Sequence, residues 1–257
     1  MANVHPLAVV DPGAKLASDV TIGPFCWVGP DVTLEAGVVL DSNVRIEGHT
    51  AIGPRVHVHA GAVLGGPPQD LKFRGVPSFL MVGEETVIRE CVTANVATDE
   101  GASTRIGAHC LVMAYAHVAH NTVLEDKVIL ANAVQLAGYV TVQENAIVGG
   151  AAVVHQFVRI GRHSMVGGGL RVPQDILPFT RAAGYPLRPI GLNTVGLERR
   201  GFSPDAVAGL KQAYRLLLRS GLRLDEAASR IRAEVKPLPE VEEFLTFALT
   251  SERGIAR

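Results

Sequence analysis

The sequence predicts a mainly β chain: a left-handed parallel β-helix of hexapeptide repeats, followed by a C-terminal α-helical domain. Three observations predict it. An aliphatic residue stands at every sixth position (Val4, Val10, Leu16, Ile22, Val28, Leu34, Leu40, Ile46, Ile52, Val58, Leu64), resumes at Val82 and Ile88, and runs on from Ile106 to Val172. Two places earlier the residue is usually small or β-branched, as at Cys26, Val32, Cys110 and Val134, and glycine often follows, as at Gly23, Gly53, Gly107 and Gly149. After Gly201 this pattern gives way to apolar residues at helical spacing.

A period of six fits neither an amphipathic helix nor an alternating strand. It fits short strands that cannot bury their apolar side alone and so stack on one another. In this repeat class three hexads make one triangular coil, so residues eighteen apart stack at roughly 4.8 Å. The left hand also comes from the class, since the usual crossover rule would give the opposite.

Residues 1–64 are uninterrupted repeat. Residues 65–81 break it: Asp70 and Val76 occupy aliphatic slots, and Pro67, Pro68 and Pro77 argue against a central strand. A second break at 94–105 puts Glu100 in an aliphatic slot. Both are read as external loops, where a rigid solenoid carries its binding groups. The repeat resumes over 106–172, and 173–201 reads as irregular, with Pro173, Pro178, Pro186 and Pro189. Domains of 1–190 and 191–257 follow. Ser203, Pro204 and Asp205 form a helix start, with a capping hydroxyl, proline at the first position and an early acid. Val207, Leu210, Tyr214, Leu217 and Leu218 make one apolar stripe, which Gly221 ends. LDEAASRIRAEV and VEEFLTFALTSE read as two further helices.

A net charge of −1 gives no reason to expect a nucleic-acid partner. No apolar run is long enough for a transmembrane helix, so stable membrane insertion is not expected. The first residues lack the charged-then-apolar pattern of a signal peptide. Cys26 and Cys110 fall on small-residue positions of the repeat, so the three cysteines point to a reducing, cytoplasmic setting rather than a disulfide framework. Broad flat faces favour self-association, and proteins of this repeat class characteristically form trimers with clefts between subunits.

The column rule places His120, Gly138 and Gln156 in one line on the outer surface, with Asn121, Tyr139 and Phe157 beside them. His117 and His155 lie close by. Histidine titrates near neutrality and can take a proton from a sugar hydroxyl. A preset N–H at Gly138 can stabilise the oxyanion formed when that hydroxyl attacks a thioester.

The segments IGPFCWVGP, GPPQDLKFRG, AHVAH, LAGY, VHQFVRIG, MVGG and GLNTVGLERRGFS occur in order over nearly the whole chain. In them it resembles the acyl-carrier-protein–UDP-N-acetylglucosamine O-acyltransferases that begin lipid A synthesis. The resemblance implies a cytoplasmic homotrimer without metal or organic cofactor, acting on acyl carrier protein and UDP-N-acetylglucosamine. It makes His120 the general base for the glucosamine 3-hydroxyl and the backbone N–H of Gly138 the oxyanion hole. It assigns Asp70 and Lys72 to a loop that contacts the sugar nucleotide or acyl group, and His117, Tyr139, His155 and Gln156 to the substrate lining. Asn193, Arg199 and Arg200 would bind the nucleotide and help receive the carrier. Gly168 would measure acyl length and, as glycine, admit a long 3-hydroxyacyl chain rather than a ten-carbon one.

Three departures lie near the proposed site. Asn121 stands where the family commonly has Asp after the base, Tyr139 replaces a histidine, and ANVATDEGAS replaces a glycine-rich HRGT-type loop. They leave a 3-amino sugar acceptor as an alternative. Rival readings are a sugar-nucleotide acetyltransferase using acetyl-CoA, a zinc enzyme of the γ-type carbonic anhydrase kind using His117, His120 and His155, and a non-enzymatic scaffold.

Overall fold

In the computed structural model, which describes residues 1–257, the aliphatic ladder winds into a left-handed parallel β-helix capped at its C-terminal end by helices. Most strands are only two residues long, and the three faces of the prism are parallel sheets of eleven, nine and eight strands. The first face begins with Asn3–Val4, the second with Val9–Val10 and the third with Lys15–Leu16. The second residue of each strand points inward. Ile22, Val28, Leu34 and Leu40 are at most 1% exposed, and the small residues two places earlier fill the corners of the core.

Most corners turn through a left-handed backbone residue. Asn121, Lys127, Ala133, Tyr139, Asn145 and Ala151 follow one another at six-residue intervals with φ between 55° and 61°. Non-glycine residues seldom hold this conformation. Here the strand on either side of each corner is locked by hydrogen bonds to the coils above and below.

The eighteen-residue column holds within each half of the helix, as in Val118↔Leu136 and Leu136↔Val154. It fails across the two interruptions. Ile52 pairs with Val82, thirty residues on, and Val82 pairs with Ile106, twenty-four on. The irregular stretches are shorter than the sequence suggests. Strands Val63–Gly66 and Phe79–Val82 bracket the first, and Thr93–Asn95 and Ser103–Ile106 the second. Edge residues that break the aliphatic pattern still pair, because backbone groups make the ladder whatever the side chain.

Residues 173–201 are more regular than expected. Thr180–Ala183 joins the first face, and Arg188–Leu192 folds back on it antiparallel, adding a hairpin to an otherwise parallel sheet. Proline obscured this: Pro189 needs no ladder N–H on an edge strand. A short helix, α1 (Thr194–Arg199), follows, with Asn193 Oδ1 accepting from Gly196 N–H at its start. Three longer helices then form: α2 (Pro204–Leu218), α3 (Leu224–Glu234) and α4 (Pro239–Leu249). Ser203 caps α2 by accepting from Ala206 N–H at 3.1 Å. The stripe Val207, Leu210, Tyr214 and Leu217 packs into a second apolar core with Leu177, Phe179, Leu192 and the buried sides of α3 and α4.

That second core closes one end of the prism. Asp175, 1% exposed, accepts from Arg159 N–H, Arg159 Nε and Ser251 Oγ, and the chain's last residues pair beside it as Asp175↔Ile255. At the opposite end Leu7 and Val9 are exposed.

Candidate active site

The site builds from the corner between the second and third faces. Strand His117–Val118 carries His117 on the outer side of the second face, where its Nδ1 lies 2.7 Å from Thr93 Oγ1. Burial first, and then the neighbouring His120, push the His117 imidazole below its usual pKa, so it is neutral at physiological pH. Three residues on, the chain has turned the corner. The His120 ring lies over Gly138 one coil above, so closely that a Cβ on Gly138 would sit 2.4 Å from His120 Cε1. Only glycine permits that stacking. The Gly138 N–H donates to no group within the chain, while its carbonyl accepts from Phe157 N–H.

His120, Gly138 and Gln156 line one cleft of about 740 Å³ with His117, and the loop bearing Asp70 and Lys72 forms its far wall. Lys72 N–H donates to Asp70 Oδ1 at 2.8 Å, which turns the loop tightly and leaves Leu71 fully exposed at its tip. Asn95 pins the root of the loop by donating to Pro67 O at 3.0 Å, and its own Oδ1 is buried without a partner. Neither Asn95 nor Gln135, which also lines the cleft, stands out in the sequence.

Asp99 is a third residue not legible in the sequence. The backbone N–H of Thr98 donates to the Asn121 side chain at 3.0 Å, and a backbone N–H can only donate, so the atom it meets is Oδ1. The other end of the amide, Nδ2, donates to Asp99 Oδ2 at 3.2 Å, which agrees with that orientation. Asn121 Oδ1 also lies 3.0 Å from His120 Nδ1. An amide oxygen only accepts, so His120 Nδ1 carries a proton, and the neutral ring presents its lone pair on Nε2. Tyr139 O–H donates to the same Asp99 oxygen at 2.9 Å. The Tyr139 ring stacks on Phe157 at 4.9 Å and meets the edge of His120 at 5.5 Å. The hydrogen bond with Thr98 lowers the Tyr139 pKa, but burial and Asp99 outweigh it, and the phenol stays protonated above its usual range.

The remaining sequence candidates lie apart. His155 neighbours Gln156, with Nδ1 3.1 Å from the Gln156 carbonyl, but does not line the cleft. Gly168 stands exposed on the corner between the first and second faces, where an added Cβ would meet Gly150 O at 3.0 Å. Asn193 and Arg200 belong to the corner between the third and first faces: Asn193 Nδ2 donates to His163 O, and Arg200 Nε donates to Asn145 Oδ1 at 3.0 Å. Arg199 is exposed in the last turn of α1. One chain therefore gathers His120, the free N–H of Gly138 and the acidic–basic loop, and presents the two arginines and Gly168 on its other corners. His117, His120 and His155 do not form a ligand cluster of the kind a metal needs.

The arrangement holds an imidazole whose Nδ1–H is committed to Asn121 beside an unpaired backbone donor, which is the equipment for activating a hydroxyl and receiving an oxyanion. Comparison with known proteins agrees in kind. The family described as UDP N-acetylglucosamine O-acyltransferase, domain 2, matches residues 175–256. The chain is 49% identical over its full length to the whole acyl-[acyl-carrier-protein]–UDP-N-acetylglucosamine O-acyltransferase of Alkalilimnicola ehrlichii, and 48% identical to that of Thiobacillus denitrificans, again with full coverage of both chains. The crystal structure of a UDP-N-acetylglucosamine acyltransferase from Bacteroides fragilis superposes with a TM-score of 0.96 at 37% identity, covering 99% of this chain and 100% of that one. A UDP-N-acetylglucosamine acyltransferase from Francisella novicida gives 0.94 at 34% identity, covering 100% of this chain and 94% of that one.

Proposed function

Since the chain belongs to the acyl-[acyl-carrier-protein]–UDP-N-acetylglucosamine O-acyltransferase family, we infer that it transfers an (R)-3-hydroxyacyl chain from acyl carrier protein to the 3-hydroxyl of UDP-N-acetylglucosamine, the first step of lipid A biosynthesis. The observation that carries the mechanism is the fixed tautomer of His120 over Gly138. His120 Nε2 takes the proton of the sugar hydroxyl as its oxygen attacks the thioester carbonyl. The Gly138 N–H receives the resulting oxyanion. Collapse breaks the carbon–sulfur bond, and the imidazolium returns its proton to the departing thiolate of the carrier's arm. Base and donor suffice for thioester attack, so no metal or organic cofactor is invoked.

Asn121 holds the His120 tautomer, and Asp99 holds Asn121. Asp70 and Lys72, on the loop across the cleft, contact the sugar nucleotide or the acyl group. His117, Tyr139, His155 and Gln156 line the path of the substrates. Asn193, Arg199 and Arg200 bind the nucleotide part and receive the carrier, for which arginine's charge and forked donors are suited. Gly168 leaves the acyl slot open to a long chain.

These residues occupy three different corners of one chain, which supports a homotrimer in which neighbouring corners face each other across shared clefts. The unit 1–190 serves as scaffold and active-site wall, and 191–257 as the helical domain. No helix is long and apolar enough to cross a membrane, and the free thiols of Cys26, Cys91 and Cys110 suit a reducing cytoplasm.

The test is mass spectrometry of products after the protein is offered a ladder of 3-hydroxyacyl donors with both 3-hydroxy and 3-amino UDP-sugars. The expected product is an ester of a long 3-hydroxyacyl chain, formed from the carrier-bound donor and not from coenzyme A. His120→Ala should lower kcat by about 10²–10⁴. An amide product, a preference for acetyl-CoA, or full turnover by the His120 variant would overturn the reading.

A further inference from the structure

On the corner between the first and second faces, well below His120 along the prism, Asp41, His57 and His59 form a cluster for which acyl transfer has no use. His57 and His59 flank the inward-pointing Val58, so strand alternation sets both imidazoles on the outer face. Their rings stack with centroids 4.0 Å apart. Asp41 ends the strand one coil below, in the column of His59, and its carboxylate rises between them. Oδ1 lies 2.9 Å from His57 Nε2, and Oδ2 lies 3.0 Å from His59 Nδ1. Glu90, from the coil above, reaches within 3.9 Å of His59 Nδ1.

We propose that Asp41, His57 and His59 form a binding site for a divalent transition-metal ion of the zinc type, with Glu90 able to complete a fourfold set. The ligand atoms of the first three residues all lie within 4.8 Å of one another. The edges of a tetrahedral zinc site are about 3.3 Å, from metal–ligand bonds of about 2.0–2.1 Å, so the observed 2.9 and 3.0 Å separations need only a small opening. Two imidazoles and a carboxylate select zinc, cobalt, nickel or copper over magnesium or calcium, which prefer all-oxygen cages. Without metal, the carboxylate accepts an N–H from each ring. On binding, each imidazole moves its proton to its other nitrogen and presents a lone pair, so no redox partner or net proton change at the rings is required. The rungs that carry the ligands are held by Val39↔His57 and His57↔Val87 pairing, which prepays the ordering of the site. The side chains are half-buried rather than sealed, which leaves the ion a path in.

The test uses the full-length protein after chelator treatment, titrated with cobalt(II) and followed by visible absorption, with zinc competition and calorimetry. The expected result is one ion per chain, giving the intense bands of low-coordinate cobalt and displaced by equimolar zinc. The double variant His57→Gln/His59→Gln should bind at least tenfold more weakly. His120→Gln, on a different corner, should bind as the unaltered chain does. If the double variant fails to fold, as judged by circular dichroism, Asp41→Asn gives the same reading. Absence of saturable binding overturns the proposal, as does binding that the cluster variants leave intact or that His120→Gln abolishes. Because the readout is metal binding, it is independent of the acyl-transfer reading.

Discussion

At the residue scale the proposed chemistry turns on how His120 is oriented. The carboxylate that commonly follows the family's base is here an amide, and an amide cannot support an imidazolium by charge. The structure supplies a carboxylate from elsewhere: Asp99 accepts from Asn121 Nδ2 and Tyr139 O–H, and Asn121 Oδ1 in turn accepts from His120 Nδ1–H. Asp99→Asn should therefore lower kcat by about 10–100-fold with little change in KM, a fraction of the full worth of general base catalysis. Adding Asn121→Asp to that variant should restore much of the rate, since a carboxylate then meets the imidazole directly. Steady-state kinetics of the two single variants and the double variant check this, and a double variant no faster than Asp99→Asn would refute the relay. The column rule brought His120, Gly138 and Gln156 together from the sequence alone. Asp99 escaped it, because its loop folds back across the corner and meets Asn121 through a contact outside the repeat.

At the scale of the element, the short strands and left-handed corners are one device. Most strands contribute only two residues, so the corner must turn sharply each time, and the positive φ does that work. A left-handed conformation costs an L-residue roughly 1–2 kcal/mol, while glycine's extra unfolded-state entropy costs about 0.5–1 kcal/mol. Ala133, with φ of 60°, therefore makes a clear test. Ala133→Gly should be neutral or stabilising by up to about 1 kcal/mol, whereas Ala133→Val, which puts a β-branched side chain on a left-handed backbone, should destabilise by about 1–3 kcal/mol. Thermal or urea unfolding at fixed protein concentration reads both. The ladder was legible because inward aliphatic residues cannot be replaced by polar ones without burying an unpaired group. The hairpin Thr180–Ala183 with Arg188–Leu192, and helix α1, were not legible. Pro186 and Pro189 mask the edge strand of the hairpin, and α1 is too short to show a periodic stripe.

At the scale of the whole molecule, the solenoid and the helices meet at a buried titratable group. His163, 5% exposed, stacks on Phe179 and meets Phe202 edge to face, and its carbonyl accepts from Asn193 at the start of α1. Its Nδ1 has no partner. Burial, and then the charges of Arg162 and Arg200, lower its pKa to about 4. An unfolded histidine titrates near 6.5. Below that value the unfolded chain gains a proton that the native chain refuses. The stability tied to this group is therefore complete above about pH 6.5 and drains away as the pH falls toward 4, by up to about 3 kcal/mol. Urea unfolding at pH 7.5, 5.5 and 4.5 should show that loss, with the helical end released first. His163→Gln should flatten the slope between pH 6.5 and 4, and an unchanged slope would assign the effect to other groups.

The pairing of Ile52 with Val82, and of Val82 with Ile106, has a consequence for how such a chain can change length. Between those partners the chain carries twelve and six residues more than one turn of the prism needs, and both surpluses are whole multiples of the repeat. Each excursion therefore leaves the second face and re-enters on the third, at the corner where an uninterrupted coil would turn, and in the same phase, so every later side chain keeps its orientation. Insertions and deletions in this molecule obey a reading frame of their own. Within the helix, a gain of eighteen residues adds one coil and leaves every later residue on its own face, whereas a gain of six or twelve keeps each side chain's inward or outward direction but moves it to another face. A gain of one or two would rotate His120 and everything beyond it off its corner, unless a loop absorbed the slip.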